Sequence, residues 1–385
     1  MILRSLWKLH IDWVTIVVWF ITNLSLIECS ADETTPASEL LTREQWNRLN
    51  TSVDRGLKFL AANQKGDGSF ASPATGQPGI TSLCILAFLS RGHQPERGEY
   101  GAVIDRALDY VLRAQQKDGL IFAMPVEGKT WPDSRHITAM YNHAISGLML
   151  TEIYGMIRSE TSDRLDEAIK NAVKFTRAQQ LKPKPHAYDL GGWRYVVMDS
   201  GAVNDSDMSV TGWQVMFLRS AKNAGFDVPV ESIDSAMEYV RRAYDPGSGT
   251  FSYGHANLRP QVTRGMVGSG ILTLSMGGEH QTEMAQSAGK WLLKHPFHRY
   301  NGIEQRSERY HYSVYYCSQA MFQLGGDYWK RFYPPLMTVL TDNQQADGSW
   351  QRESNKDGHF GNVYTSALVI LALNPAYQLL PIYQR

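Results

Sequence analysis

FLAANQKGDGSF at positions 59–70 and VLTDNQQADGSW at positions 339–350 are two copies of one pattern. An aromatic or apolar anchor is followed five residues later by glutamine, and soon afterwards by a glycine and an aromatic. Tyr110/Gln115/Gly119/Phe122 and Phe175/Gln180/Gly192/Trp193 repeat it. Tyr239 with Gly249/Phe251, and Trp291 without a glycine turn, are weaker copies, so six anchors fall 48 to 65 residues apart. Each interval holds two helices and their connections, and a repeat of this size dictates the architecture.

The two halves of each unit differ. The first is amphipathic: Val53, Leu57 and Leu60 alternate with Arg55 and Lys58, and Ala107, Tyr110 and Val111 with Arg106, Asp109 and Arg113. The second is apolar nearly all round, as in Thr81 to Leu89, Ala144 to Tyr154, Val210 to Leu218, Gly268 to Met276, Val314 to Leu324 and Thr365 to Leu373. A helix without a polar face must be enclosed by other helices. An open solenoid needs polar capping units, whereas here the last unit ends in the apolar Leu371 to Leu380. The expected fold is therefore all-α: an (α/α)6 toroid with the second halves inside and the first halves outside. The glycines supply positive backbone angles for tight turns, and the glutamines and turn aromatics are expected to staple neighbouring units.

Thirty-eight basic residues balance thirty-eight acidic ones, which leaves no electrostatic footprint for nucleic acid. Arg4 and Lys8 precede an apolar run from Trp13 to Ile27, followed by the polar Glu28-Cys29-Ser30-Ala31-Asp32-Glu33. A run of about 15 residues is short for a membrane span and suits a signal-peptide core. Residues 1–31 are thus expected to be a signal peptide, with an uncleaved anchor as the alternative; 32–41 a linker; and 42–385 one domain. The chain is expected to be exported, periplasmic or extracellular, with no stable membrane span once the signal is removed. Cys84 and Cys317 sit in apolar segments of different units and read as buried thiols.

The Gln64/Gly68/Phe70 and Gln344/Gly348/Trp350 motifs resemble the Gln-Trp repeats of squalene and oxidosqualene cyclases. With openings such as Asp207-Met208-Ser209-Val210-Thr211-Gly212-Trp213, residues 42 to 375 are similar to the terpenoid cyclase and protein prenyltransferase superfamily. The resemblance implies the double-ring α/α fold and, for class II cyclases, alkene protonation by the middle aspartate of an Asp-x-Asp-Asp motif. The nearest match is Asp205-Ser206-Asp207-Met208, which maps that acid onto Asp207, with Met208 where the family has its last aspartate. The prenyltransferase zinc ligands are missing: Tyr315 stands two residues before Cys317, and Val363-Tyr364-Thr365 lacks the histidine. No metal and no cofactor are expected.

In a closed double ring the inner-helix starts gather over a central cavity, where unpaired backbone donors and side chains meet a ligand. Those starts offer Asp205, Asp207 and His311 as catalytic candidates, and Tyr141, His143, Arg264, Tyr312 and Tyr364 as ligand-binding ones. Asp207 also reads as a helix N-cap, and His143 as a hydrogen-bonded structural histidine. Arg264 opposes its helix dipole, which favours pairing with Asp205, Asp207 or an anionic ligand. The expected partner is a small apolar or glycan ligand. The leading reading is a cavity for an apolar or isoprenoid-type molecule with acid-initiated, cyclase-like chemistry. The alternatives are a carbohydrate-active toroid enzyme, glycosidase or lyase, using Asp205, Asp207, Glu304 and Glu308 beside Trp131, Trp193 and Tyr310 as platforms, or a non-catalytic binding module.

Overall fold

The computed structural model describes residues 40–124, 134–157, 161–196, 205–254 and 261–384. The expected signal segment, nearly all of the linker and Trp131 fall outside them. Among the described residues, twelve α-helices alternate between two rings. The outer ones are α1 (Arg43–Ala62), α3 (Gly101–Arg113), α5 (Thr161–Gln180), α7 (Val230–Arg242), α9 (Glu283–Lys294) and α11 (Gly326–Asp342). The inner ones are α2 (Gly79–Leu89), α4 (Ser134–Ile153), α6 (Met208–Asn223), α8 (Arg264–Met276), α10 (Tyr310–Leu324) and α12 (Gly361–Leu373). Each inner helix packs on the next, and α12 returns to α2, so the ring closes. The fold is an α/α toroid.

Burial follows the hydropathy pattern. Every residue of α2 is buried, whereas α1 buries only the stripe Leu49, Ser52, Val53, Gly56, Leu57 and Leu60. At about 1.5–3 kcal/mol per buried large aliphatic side chain, α2 is held by enclosure on every side and α1 by one face. Small residues let the inner helices approach: a Cβ on Gly268 would lie 2.8 Å from the backbone nitrogen of Cys317.

The repeat motif is the staple between units. Gln64 Nε2 donates to Gly68 O in its own turn (3.1 Å) and to Val103 O on the next outer helix (2.8 Å). Gln115 spans Gly119 and Ala168, and Gln180 spans Gly191 and Ser232, in the same way. Gln344 donates to Gly348 O and to Ser52 O, both at 2.8 Å, which ties the last unit to the first. Gly348 has φ +90°, and a Cβ there would meet Arg55 O at 2.5 Å; only glycine fits both the turn and the closure.

The turn residue's amide is in turn received by the inner helix: Phe70 N–H by Thr81, Trp193 N–H by Thr211, Trp350 N–H by Ser366. In the second unit Ile121, not Phe122, occupies this place. The fourth unit replaces the turn with a hairpin, β1 (Tyr244–Asp245) against β2 (Thr250–Phe251).

One boundary differs from expectation. α4 begins at Ser134, so Tyr141 sits about two turns inside the helix rather than at its opening, because Ile137, Ala139 and Met140 continue the apolar run. At the opposite face, the segment after α12 crosses the C-terminal ends of the inner helices. Gln323 Nε2 donates to Tyr383 O (2.9 Å), and the Tyr315 and Tyr383 hydroxyls hydrogen-bond. Among the described residues no helix is long and apolar enough to cross a membrane.

Candidate functional site

All six inner helices contribute to one cavity of about 490 Å³. Ile80 and Leu83 come from α2, Tyr141 and Ile145 from α4, Ser209 and Trp213 from α6, Met266 from α8, Tyr312 and Ser313 from α10, and Tyr364 and Leu368 from α12. The residues farther along their helices, Leu83, Ile145, Trp213 and Leu368, are apolar and form the depth of the well. Trp213 stacks on Tyr315 (ring centroids 5.3 Å, interplanar angle 8°), and Tyr315 meets the Tyr383 hydroxyl of the segment below. The polar side chains gather at the helix N-termini and the loops above them, where Tyr195, Tyr253, Arg309 and Asp357 join the lining.

Asp207 is fully buried and caps α6: its Oδ1 accepts the Val210 amide (2.8 Å) and the Ser209 hydroxyl (2.6 Å). Its Oδ2 accepts the Tyr253 hydroxyl (3.1 Å), and Arg194 Nε lies 3.9 Å away. Burial raises the carboxyl above its usual range, against the pull of Ser209, the Val210 amide, Arg194 and Tyr253. The carboxyl is not part of the cavity wall. It communicates with the wall through hydroxyls, since Tyr141 OH lies 2.6 Å from Ser209 Oγ and Tyr195 OH 2.9 Å from Tyr253 OH. Burial pushes the Tyr141 and Tyr253 phenols well up, so both remain donors. With Asp207 ionised, both chains of hydroxyls donate toward it; with Asp207 protonated, one chain reverses and turns a hydroxyl hydrogen toward the wall.

The structure brings Tyr141, Tyr312 and Tyr364 together on this wall, with Asp207 immediately behind it. The other candidates lie elsewhere. Asp205 pairs with Lys184 (3.2 Å) on the outer loop side. His311 is clamped between Glu353 Oε1 (3.1 Å) and Tyr300 OH (2.9 Å), and burial lowers its pKa against the carboxylate's pull. Arg264 does not pair with Asp205, Asp207 or the well. It forms a two-pronged pair with Glu308 (Nε to Oε1 2.8 Å, Nη2 to Oε2 2.9 Å), and its guanidinium lies 3.8 Å from the Phe297 ring centre. Trp193 and Tyr310 are buried in the core and offer no platform. Both described thiols are buried, and burial pushes them up, away from thiolate chemistry.

His143 holds the place that Thr81, Thr211 and Ser366 hold in their units. Its Nδ1 accepts the Ile121 amide (3.1 Å), so Nε2 carries the proton and donates to Thr176 Oγ1 (2.8 Å). Burial takes its pKa down to about 3. The ring should therefore stay neutral in this one tautomer from pH 8 to about 4; nitrogen-15 NMR showing it titrate near 6.5 would contradict the assignment.

Two acids escaped the sequence reading. Asp357 lies on the wall, paired with Arg309 Nε (2.9 Å). Burial raises it to about 6, against Arg309 and with Glu353 adding to the rise. Glu353 is the brace that fixes this loop. Among the described residues, no three His, Cys, Asp or Glu side chains are placed to hold a metal ion.

No family model matches the chain, and no curated protein matches it. Among solved structures it is similar to a variant of the type II terpene cyclase MstE from Scytonema in complex with geranylgeranyl dihydroxybenzoate, with 13% identity, 88% of this chain and 99% of that one covered, and a TM-score of 0.54. It is also similar to an inactive variant of the α-1,6-mannanase GH76A of Salegentibacter sp. in complex with α-1,6-mannotriose, with 10% identity, 86% and 99% covered, and a TM-score of 0.58. A glycoside hydrolase family 76 mannosidase from Bacteroides thetaiotaomicron aligns at 11% identity, 86% and 98% covered, and a TM-score of 0.57. At these identities the likeness establishes the toroid and leaves both chemistries open.

Proposed function

We propose that this chain is an exported toroid that holds an apolar, isoprenoid-type molecule in its central well, with Asp207 supplying protons through the hydroxyls of Ser209 and Tyr253. The observation that carries the reading is the division of the wall: Leu83, Ile145, Trp213 and Leu368 in the depth, hydroxyls and charges only at the mouth. A sugar placed against the apolar depth would lose its water hydrogen bonds without replacement. A prenyl chain loses nothing there. At about 0.8 kcal/mol per buried CH2, a chain of roughly fifteen carbons gains about 12 kcal/mol gross, of which about 8 kcal/mol remains after an association cost of about 4 kcal/mol, the low end of its range. The tyrosine faces at the mouth would stabilise a developing cation. Export rests on the Arg4/Lys8 and Trp13 to Ile27 pattern.

The type II cyclase similar in fold is captured with a geranylgeranyl ligand, and the mannanase with a trisaccharide, which makes the two probes natural competitors. Calorimetric titration with a prenyl hydrocarbon in mild detergent should give a dissociation constant in the micromolar range, about −8 kcal/mol, and α-1,6-mannotriose should give no heat. The reverse result selects the glycan reading. Asp207→Asn should keep prenyl binding within about threefold and lose any proton-dependent conversion.

A further inference from the structure

The loop between the last turn and α12 is built to hold one carboxylate against the well. Glu353 accepts the backbone amides of Tyr310 and His311, both at 2.9 Å, the His311 ring, and the Asn355 side-chain amide. Asn355 Oδ1 in turn accepts the Asp357 amide (2.9 Å), opening the short turn Lys356–Phe360. His311 thereby acts as a brace: it fixes Glu353, which fixes Asn355, which sets Asp357 on the wall beside Arg309.

Next to this pair, α10 presents two hydroxyls to the same cavity. Ser313 Oγ and Tyr312 OH are buried and have no hydrogen-bond partner. The Tyr312 and Tyr316 hydroxyls lie beside one another, and neither has any other hydrogen-bond partner. A buried polar group left unpaired is destabilising, and an oxygen atom of a ligand at the mouth would remove that cost. Arg309 and Asp357 neutralise each other, so an anionic head would meet a carboxylate rather than a free cation. Lys356, also at the rim, is exposed and screened. A neutral hydroxyl fits both sides: it donates to Asp357 and accepts from Tyr312 or Ser313.

We propose that Asp357, Tyr312 and Ser313 form a head-group site for a neutral alcohol carried on an apolar chain, a prenyl or sterol-type alcohol. The inference rests on the apolar-well reading and adds the chemistry of the ligand's polar end.

Three probes with one chain separate the terms: farnesol, farnesene and farnesyl diphosphate, titrated into the full chain by calorimetry or by quenching of tryptophan fluorescence. Farnesol should bind about tenfold tighter than farnesene and tighter than the diphosphate. Asp357→Asn and Tyr312→Phe should each bring farnesol to within about threefold of farnesene while leaving farnesene unchanged. Tyr312→Phe keeps the ring and tests the site even where Asp357→Asn disturbs the loop through an unpaired Arg309. A tighter diphosphate, or an alcohol preference that survives both variants, overturns the head-group site alone. Equal binding of farnesol and farnesene by the unmodified chain does the same. Failure of all three probes removes the apolar-well reading, and this inference with it.

Discussion

Glu308→Ala should destabilise the toroid by roughly 3–5 kcal/mol, because it strands a buried cation. Arg264 is 3% exposed and opens α8, where the helix dipole already disfavours positive charge. Glu308 supplies two hydrogen bonds to it, and the carbonyls of Pro296 (3.2 Å) and Gly302 (2.7 Å) take further donors. Carbonyls and the Phe297 ring orient the guanidinium but carry no net charge. Glu304, 3.7 Å away and 38% exposed, is the one remaining carboxylate in reach among the described residues, and solvent screens it; it softens the loss toward the lower figure. Replacing both members, Arg264→Met with Glu308→Leu, should recover most of the stability, since neither charge then needs solvation. Urea denaturation of the single and double variants decides the matter. A single variant within about 1 kcal/mol of the parent would mean that solvent reaches the guanidinium.

The same pair marks the boundary of what sequence reveals. The staples were legible because they are local and periodic: Gln64 and Gln344 each recur at fixed distance from a glycine, and the structure uses both to join units. The inner helices were legible from their lack of any polar face. Arg264 and Glu308 lie 44 residues apart on different units and leave no periodic trace, so the helix-dipole misfit of Arg264 signalled a partner without saying which. His143 was ambiguous for another reason. Its three counterparts are hydroxyl residues, and the unit alignment hides a histidine doing a threonine's work. Asp357 lay in Glu353-Ser354-Asn355-Lys356-Asp357-Gly358, which reads as a solvated loop. The one sequence signal was not selective: acids fall between the turn aromatic and the next inner helix in the second, third and sixth units alike. Tyr312 and Tyr364 were legible because α/α closure places helix starts around one hollow, and Tyr141, two turns into α4, reaches the same hollow; Tyr195, Tyr253 and the acids depend on loop conformation, which closure does not specify.

A second large effect is expected at the other end of the ring. Glu152, near the end of α4, is 2% exposed. Its Oε1 accepts the Ser220 hydroxyl (2.5 Å), and its Oε2 accepts the Ile382 amide of the segment that closes this face (3.1 Å). Burial raises the carboxyl from its ordinary 4.5 to about 7, against both hydrogen bonds. The sign follows from which form the fold prefers. A carboxyl raised in the folded state binds its proton more tightly there than in the unfolded chain, so its contribution is fully present below about 4.5 and is lost as pH rises through about 7. At about 1.4 kcal/mol per pH unit, the loss amounts to roughly 3 kcal/mol. Glutamine removes the titration and keeps the geometry: its amide donates to Ser220 Oγ, which already accepts Thr151 Oγ1 (2.7 Å), and its carbonyl accepts the Ile382 amide. Glu152→Gln should therefore match the parent near pH 4.5 and exceed it by roughly 3 kcal/mol at about pH 8, with a difference that grows smoothly between. Denaturant midpoints taken across that range test it, because every other acid is common to both proteins and cancels. Curves that run parallel at every pH would show that water reaches the carboxyl from below, and that the segment around Ile382 does not seal the ring.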